Sequence, residues 1–331
     1  MIRVAINGFG RIGRMVFKAG YKDKDMEFVA INDLTDTKTL AYLLKYDTAY
    51  RKFQANIEAK SNSLIIDGKE ISVTAEKEPE KLPWKKMNVD VVVESTGFFT
   101  TKEMASRHLK AGARKVIISA PYRGNEYVKT IVRGVNENNL DKNNDNIISM
   151  GSCTTNCLAP MAKVLNDNFV IERAFMTTIH AMTSDQNLVD GPHRDLRRGR
   201  AANNNMVITT SGATSSVAEA IPDLKGKMDG VAIRVPIIVG SLTDFVAILK
   251  KPATREKINW LFNEVSKYHL KGVLEYTEDP IVSSDIIGNP SSCVFDGLST
   301  MVNGNMAKIM GWYDNEWGYS NRVIDVVKLF S

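Results

Sequence analysis

Two of the chain's three cysteines stand in one hexapeptide, Ser152-Cys153-Thr154-Thr155-Asn156-Cys157. Such a pair can serve as a disulfide, half a metal site, core filler, or a nucleophile with a neighbour. A metal site would want CxxC pairs or clustered histidines, and neither stands near the hexapeptide. The odd cysteine count, with Cys293 far away, argues against a secreted disulfide scaffold and for a reducing cytosol. Asn146–Met150 reads as a strand and Thr154–Leu165 as a helix, so Cys153 falls at a helix N-terminus. There the dipole and free amides should lower the thiol's pKa, and the same amides can hold an oxyanion. Cys157 lies one turn further in and is expected to be a small buried hydrophobe.

A thiolate nucleophile needs a base, and the chain has four histidines. His108 and His269 lie in helical patterns that favour a packed or solvated role, and His193 lies in an arginine-rich loop. His180 ends an apolar strand among Thr177, Thr178 and Thr183. A strand end is where catalytic side chains are often delivered, so His180 is the preferred partner.

A second constellation opens the chain. Ile2–Asn7 reads as a strand, Gly8-Phe9-Gly10-Arg11-Ile12-Gly13 follows, and a helical pattern runs on to about Gly20. The next strand ends in Asp33, twenty residues beyond Gly13. A lone GxGxxG is weak, but strand, glycines, helix and distant acid together are the dinucleotide fingerprint. Gly8 allows the tight turn, Gly10 the approach of a pyrophosphate, and Gly13 close helix–strand packing. The helix N-terminus supplies donors for the anion. Asp33 would accept from ribose hydroxyls and repel a 2′-phosphate, which favours NAD over NADP.

These residues need elements to hold them. The 331 residues are 44% apolar and 24% charged, with net charge +5, an ordinary globular composition long enough for two domains. That charge is too mild to argue for nucleic acid. No run of about 18 apolar residues predicts a membrane span, and the N-terminus opens on a strand where a secretory leader would carry a long apolar stretch. Strands alternate with helices in the first half, through the buried run Val89–Ser95, a helix Thr101–Ala111 capped by Thr100 with Glu103, and Lys115–Ser119. Asp67-Gly68 between two alternating runs marks a hairpin. Past Cys153, Glu172–His180, Gly230–Val235 and Ser241–Leu249 are longer strands with shorter connections, joined by a helix over Arg255–Leu270. The expected architecture is a Rossmann-type doubly wound α/β domain over residues 1–151, then an α+β domain with a mostly antiparallel sheet. On pattern alone the final helix, Ser320–Phe330, fits either half, and the second domain spans 152–315 if that helix returns to the first.

Asn7–Arg14, Ser152–Cys157, Trp312–Glu316, Leu43–Asp47 and Asp195–Arg198 together closely resemble phosphorylating glyceraldehyde-3-phosphate dehydrogenases, from the first strand to the last helix. The resemblance implies a cytoplasmic homotetramer in which the C-terminal helix, 316–331, completes the NAD domain. It implies that Cys153 attacks the aldehyde, that His180 takes the proton, and that inorganic phosphate releases an acyl-thioester as 1,3-bisphosphoglycerate. Thr183, Asp185 and Arg234 match the family's substrate-phosphate site, and Ser152, Thr154, Arg198, Ser211 and Gly212 its attacking-phosphate site. Gly8, Gly10, Arg11, Ile12, Gly13, Asp33, Thr96, Ser119 and Asn315 match NAD-contacting positions, with no metal. The charges of the 181–205 loop would then serve a subunit interface and the phosphate sites, with RNA binding a minor alternative. Departures from the family pattern fall at Met150, Gly151, Met182, Gly199 and across Asn203–Ser216, where Ser211 replaces a phosphate-binding threonine. Two alternatives compete: erythrose-4-phosphate dehydrogenase, which hydrolyses its thioester, and a catalytically idle NAD-binding protein. The intact Cys153–His180 pair argues against the second.

Overall fold

A computed structural model describes all residues, Met1–Ser331, as two compact units. The first comprises Met1–Ile131, Asn138–Gly151 and Ser320–Ser331. Its nine-stranded sheet is parallel from Lys129–Thr130 through Ile147–Ser149, Lys115–Ile118, Val91–Glu94, Ile2–Asn7 and Met26–Asn32 to Lys69–Thr74. An antiparallel hairpin, Ser63–Ile66 with Ile57–Ala59, closes one edge. The central strands are mostly apolar because both faces are covered: Val91–Glu94 is buried at every position, its glutamate included. Asp67 and Gly68, at φ 49° and 81°, turn Ser63–Ile66 back against its other antiparallel neighbour, Lys69–Thr74, as the left-handed pair that a two-residue turn needs.

Helix Lys102–Lys110 is capped by Thr101, whose hydroxyl accepts from the Met104 N–H at 3.1 Å, and not by Thr100 as the sequence predicted. Thr100 is buried, and its carbonyl accepts from Arg123 instead. Both threonines suit a cap by type, so the tertiary contact decides between them.

The second unit comprises Val132–Glu137 and Ser152–Tyr319. Its sheet runs, in spatial order, Val207–Thr210, Met228–Val235, Ile171–Ala181, Ser241–Leu249, Met306–Tyr313, Cys293–Asp296 and Leu274–Thr277, with Met301–Asn303 added against Met306–Tyr313. Most pairings are antiparallel; Ile171–Ala181 with Met228–Val235 and Cys293–Asp296 with Leu274–Thr277 are parallel. Ser241–Leu249 alternates strictly between buried and half-buried positions, as a strand with one core face must. Helix Cys153–Phe169 brings Leu158, Met161 and Leu165 to that core, beside Phe245 and Ile309.

Two memberships depart from the expected boundaries. Val132–Glu137 belongs to the second unit, where Val132 joins the core and Gly134 packs on Leu270. The C-terminal segment of the first unit starts at Ser320 rather than 316. No helix is long and apolar enough to cross a membrane.

Candidate active site

Gly151 sits at φ 61°, a backbone region that favours glycine, which explains one departure from the family pattern. Helix Cys153–Phe169 starts at once. Ser152 Oγ accepts from the Thr155 N–H at 3.0 Å, and Thr155 Oγ1 accepts from the Ser152 N–H at 3.1 Å, a reciprocal capping box. Cys153 is therefore the first helical residue, half-buried, where the sequence put it. Cys157 is fully buried, as expected for packing.

His180 lies at the C-terminal end of Ile171–Ala181, 4% exposed, with Nε2 3.3 Å from Cys153 Sγ. The other ring nitrogen, Nδ1, is 2.7 Å from the Ala181 carbonyl, which can only accept. That carbonyl favours a proton on Nδ1, with Nε2 as the acceptor facing sulfur, while the donor-only guanidinium of Arg234 at the same nitrogen favours the opposite tautomer. Arg234 stands beside His180 in the parallel register. Its guanidinium presses on Nδ1 and donates to the Ala181 carbonyl at 3.2 Å.

The electrostatics differ from the sequence expectation. Burial pushes the Cys153 thiol up to about 11, although the Arg234 charge and the Thr154 N–H and hydroxyl pull the other way. Partial exposure of Cys153 lets water work against that upward push. Burial, then the Arg234 charge, pulls His180 down to about 3. Burial thus favours the neutral pair, a thiol facing an unprotonated imidazole, while the Arg234 charge favours the thiolate. The helix start does lower the thiol's pKa, but burial outweighs it.

Tyr313 supports the pair from below. Its hydroxyl bonds Thr154 Oγ1 at 2.8 Å and Thr178 Oγ1 at 2.7 Å, and its ring meets His180 edge-on, centroids 6.1 Å apart. Ser241 Oγ accepts from the Ala181 N–H at 3.1 Å and donates to Asn315 Oδ1 at 3.0 Å. Asn315 Oδ1 also accepts from Gly240, which fixes the amide with Nδ2 as its remaining donor. Sequence reasoning named Thr178 and Tyr313 without giving them this role and missed Ser241, since hydroxyls scattered over three strands carry no spacing signal.

The anion-site residues divide. Arg198 bonds Asp185, Thr209 Oγ1 at 2.8 Å and Asp195 at 3.4 Å. Asp185 offers only acceptors and is engaged with this guanidinium, so it acts as the partner of Arg198 rather than as a phosphate ligand. Thr183 N–H donates to Gln186 Oε1 at 3.2 Å. Ser211 Oγ accepts from the Ala213 N–H at 3.3 Å, and Gly212 caps helix Ala213–Ala220. Serine thus serves at a helix start, where its hydroxyl does the work a threonine's would. Gly199 has no room for a side chain: a Cβ there would lie 2.6 Å from the Gly191 carbonyl oxygen.

In the first unit, Asn7, Gly8, Gly10, Asp33, Thr96 and Phe98 help line a cavity of about 380 Å³. A Cβ on Gly8 would strike the Thr96 nitrogen at 2.7 Å, and one on Gly13 the Gly8 oxygen at 2.1 Å, whereas Gly10 faces open space. Helix Arg11–Gly20 begins there with no side-chain cap, so the positive end of its dipole faces the cavity that Gly10 lines. Asp33 accepts from the Phe9 N–H at 2.7 Å and the Thr35 N–H at 2.9 Å, and keeps further lone pairs for a ribose. Arg11 turns its guanidinium to Asp47, 3.1 Å away, so its side chain braces the helix start. Ser119 ends the neighbouring strand, its N–H on the Glu94 carbonyl at 2.9 Å. These residues fit a dinucleotide.

Residues 2–102 match the family model described as the NAD binding domain of glyceraldehyde 3-phosphate dehydrogenase, and residues 152–315 match its C-terminal domain. Glyceraldehyde-3-phosphate dehydrogenase 2 of Streptomyces avermitilis is 53% identical over 98% of this chain and 97% of its own. Glyceraldehyde-3-phosphate dehydrogenase 1 of Bacillus subtilis and the enzyme of Geobacillus stearothermophilus are each 52% identical over the same shares. With both halves matched and half of all positions shared along nearly the whole chain, this protein belongs to the glyceraldehyde-3-phosphate dehydrogenase family, as an NAD-dependent dehydrogenase.

Proposed function

We propose that the protein oxidises D-glyceraldehyde 3-phosphate and couples the oxidation to phosphorylation, giving 1,3-bisphosphoglycerate in glycolysis. The observation that carries this reading is Cys153 Sγ at 3.3 Å from His180 Nε2, with Arg234 against the same imidazole. Sulfur attacks the aldehyde carbon while its proton passes to Nε2, forming a thiohemiacetal; a neutral thiol requires this concerted base. The Ala181 carbonyl beside Nδ1 favours the tautomer that accepts at Nε2. Bound NAD supplies the acceptor for the hydride that leaves the same carbon. Inorganic phosphate then attacks the acyl-thioester, the C–S bond breaks, and sulfur recovers its proton from His180.

Arg234 and Thr183 would hold the substrate phosphate, and Arg198, Ser211, Gly212, Ser152 and Thr154 the attacking one. Guanidinium forks and helix-start amides are the groups that suit phosphate oxygens. Gly8, Gly10, Arg11, Ile12, Gly13, Asp33, Thr96 and Ser119 would bind the cofactor, and Asn315 Nδ2 its carboxamide. A cytoplasmic homotetramer is the proposed working state. Leu188, Val189, Leu196 and Met206 stand more than 70% exposed on one loop, which supports a contact between copies. The erythrose-4-phosphate reading is not favoured, since the relatives quoted are all glyceraldehyde-3-phosphate dehydrogenases.

The test is NADH formation from glyceraldehyde 3-phosphate and NAD, with and without phosphate, on wild type and Cys153→Ser. Turnover should require phosphate and fall by at least about a thousandfold in the variant. Turnover indifferent to phosphate would move the assignment to the hydrolytic relative.

A further inference from the structure

The wall of the nucleotide cavity is tied to a buried carboxyl group that does not itself line it. Glu94, at the end of Val91–Glu94, is 1% exposed, and His108, on Lys102–Lys110, is wholly buried. His108 Nε2 lies 3.1 Å from Glu94 Oε2. On the far side of the ring, Trp84 Nε1 donates to Nδ1 at 3.0 Å. An indole N–H can only donate, so Nδ1 carries no proton and Nε2–H points at Glu94. Asn7 Nδ2 donates to the same oxygen at 2.5 Å and stands 3.4 Å from Nε2. Two groups thus converge on one oxygen, which uses both its lone pairs. The second oxygen, Oε1, accepts the Thr96 N–H at 2.8 Å and also the Thr96 hydroxyl. Glu94 is therefore a buried carboxyl group met by four side-chain and backbone polar groups at its two oxygens. Removing any one of them leaves a buried carboxyl oxygen short of partners, which is costly.

Those donors are the cavity wall. Asn7 and Thr96 line the cavity, and Asn7 Oδ1 accepts from Asn32, which lines it too, at 2.7 Å. Thr96 Oγ1 accepts from the Phe98 N–H at 3.1 Å, and Phe98 closes the next part of the wall. The loop that follows the strand, where an open parallel sheet binds its ligand, is wound around this carboxyl group.

We infer that Glu94 and His108 are positioning residues for NAD: the Trp84–His108–Glu94 chain sets the places of Asn7 and Thr96 before cofactor arrives, without touching it. His108→Leu removes the donor to Glu94, while His108→Gln keeps a side-chain N–H for it. Trp84→Phe removes the N–H that locks the imidazole tautomer, together with part of a buried ring whose loss the melting temperature reads. Each full-length variant is compared with wild type for NAD affinity by titration, for kcat at saturating NAD, and for melting temperature. In His108→Leu the NAD Kd should rise about tenfold with kcat unchanged, the cost of one lost buried hydrogen bond. His108→Gln should return it to within about threefold of wild type. If His108→Leu does not fold, Trp84→Phe carries the test, with an expected rise of about threefold. A lowered melting temperature with NAD affinity unchanged would overturn the inference. Equal loss in the leucine and glutamine variants, or a fall in kcat as large as the loss of affinity, would do the same.

Discussion

At the scale of single residues, the site turns on one cation beside a thiol and an imidazole. Arg234 favours the thiolate of Cys153 and disfavours the imidazolium of His180, so its charge lowers both pKa values while burial drives them apart. Arg234→Leu should therefore move thiol ionisation to higher pH. Below the thiol's pKa less thiolate is then present, and iodoacetamide should alkylate Cys153 roughly tenfold more slowly at pH 8. The check is the rate-versus-pH curve of the ligand-free enzyme; a curve that stays put or moves to lower pH would deny Arg234 this role. Cys153 and His180 were both legible in the sequence, because a helix start after a strand and a histidine at a strand end each carry a local pattern. The state of the pair was not legible. It depends on how completely the fold covers the sulfur and on a guanidinium fifty-four positions from the histidine.

At the scale of elements, the helix that carries Cys153 is fixed at its first turn by Ser152 and Thr155. Thr155 is wholly buried, so a lost bond there is not replaced by water. Thr155→Val keeps the shape and removes the acceptor of the Ser152 N–H, which should cost about 1–2 kcal/mol and lower the denaturant midpoint. An unchanged midpoint would mean that packing alone sets the helix start. Element types were readable here: strand, helix and hairpin followed from apolar period and from Asp67-Gly68. Ends were less so. The helix predicted over Thr154–Leu165 runs from Cys153 to Phe169, because Asn166 and Phe169 are buried and packing extends what local pattern leaves open. The Arg255–Leu270 pattern likewise yields a helix only to Lys267. Pairing order, which sets His180 beside Arg234, has no local signature at all.

At the scale of the whole molecule, the chain returns to its first unit for its last twelve residues. Val323, Val326, Val327 and Phe330 are fully buried, and Ile324 nearly so. Ile324 packs where Gly20 leaves no room for a side chain, Lys328 pairs with Asp23, and Lys115 lies over the Phe330 ring. Burying five such side chains contributes on the order of 10 kcal/mol, against a typical net domain stability of about 5–15 kcal/mol. The sequence pattern left this helix unassigned between the halves, since its apolar face fits either; only the family resemblance pointed to the first. A fragment of residues 1–151 should then fail to unfold cooperatively and should not bind NAD. The same fragment joined through a flexible linker to residues 320–331 should recover both, read by circular dichroism melting and nucleotide titration. A fragment that melts sharply and binds NAD without the segment would show that the nucleotide unit is complete by Gly151. The C-terminal helix would then be an addition to that unit rather than part of its core.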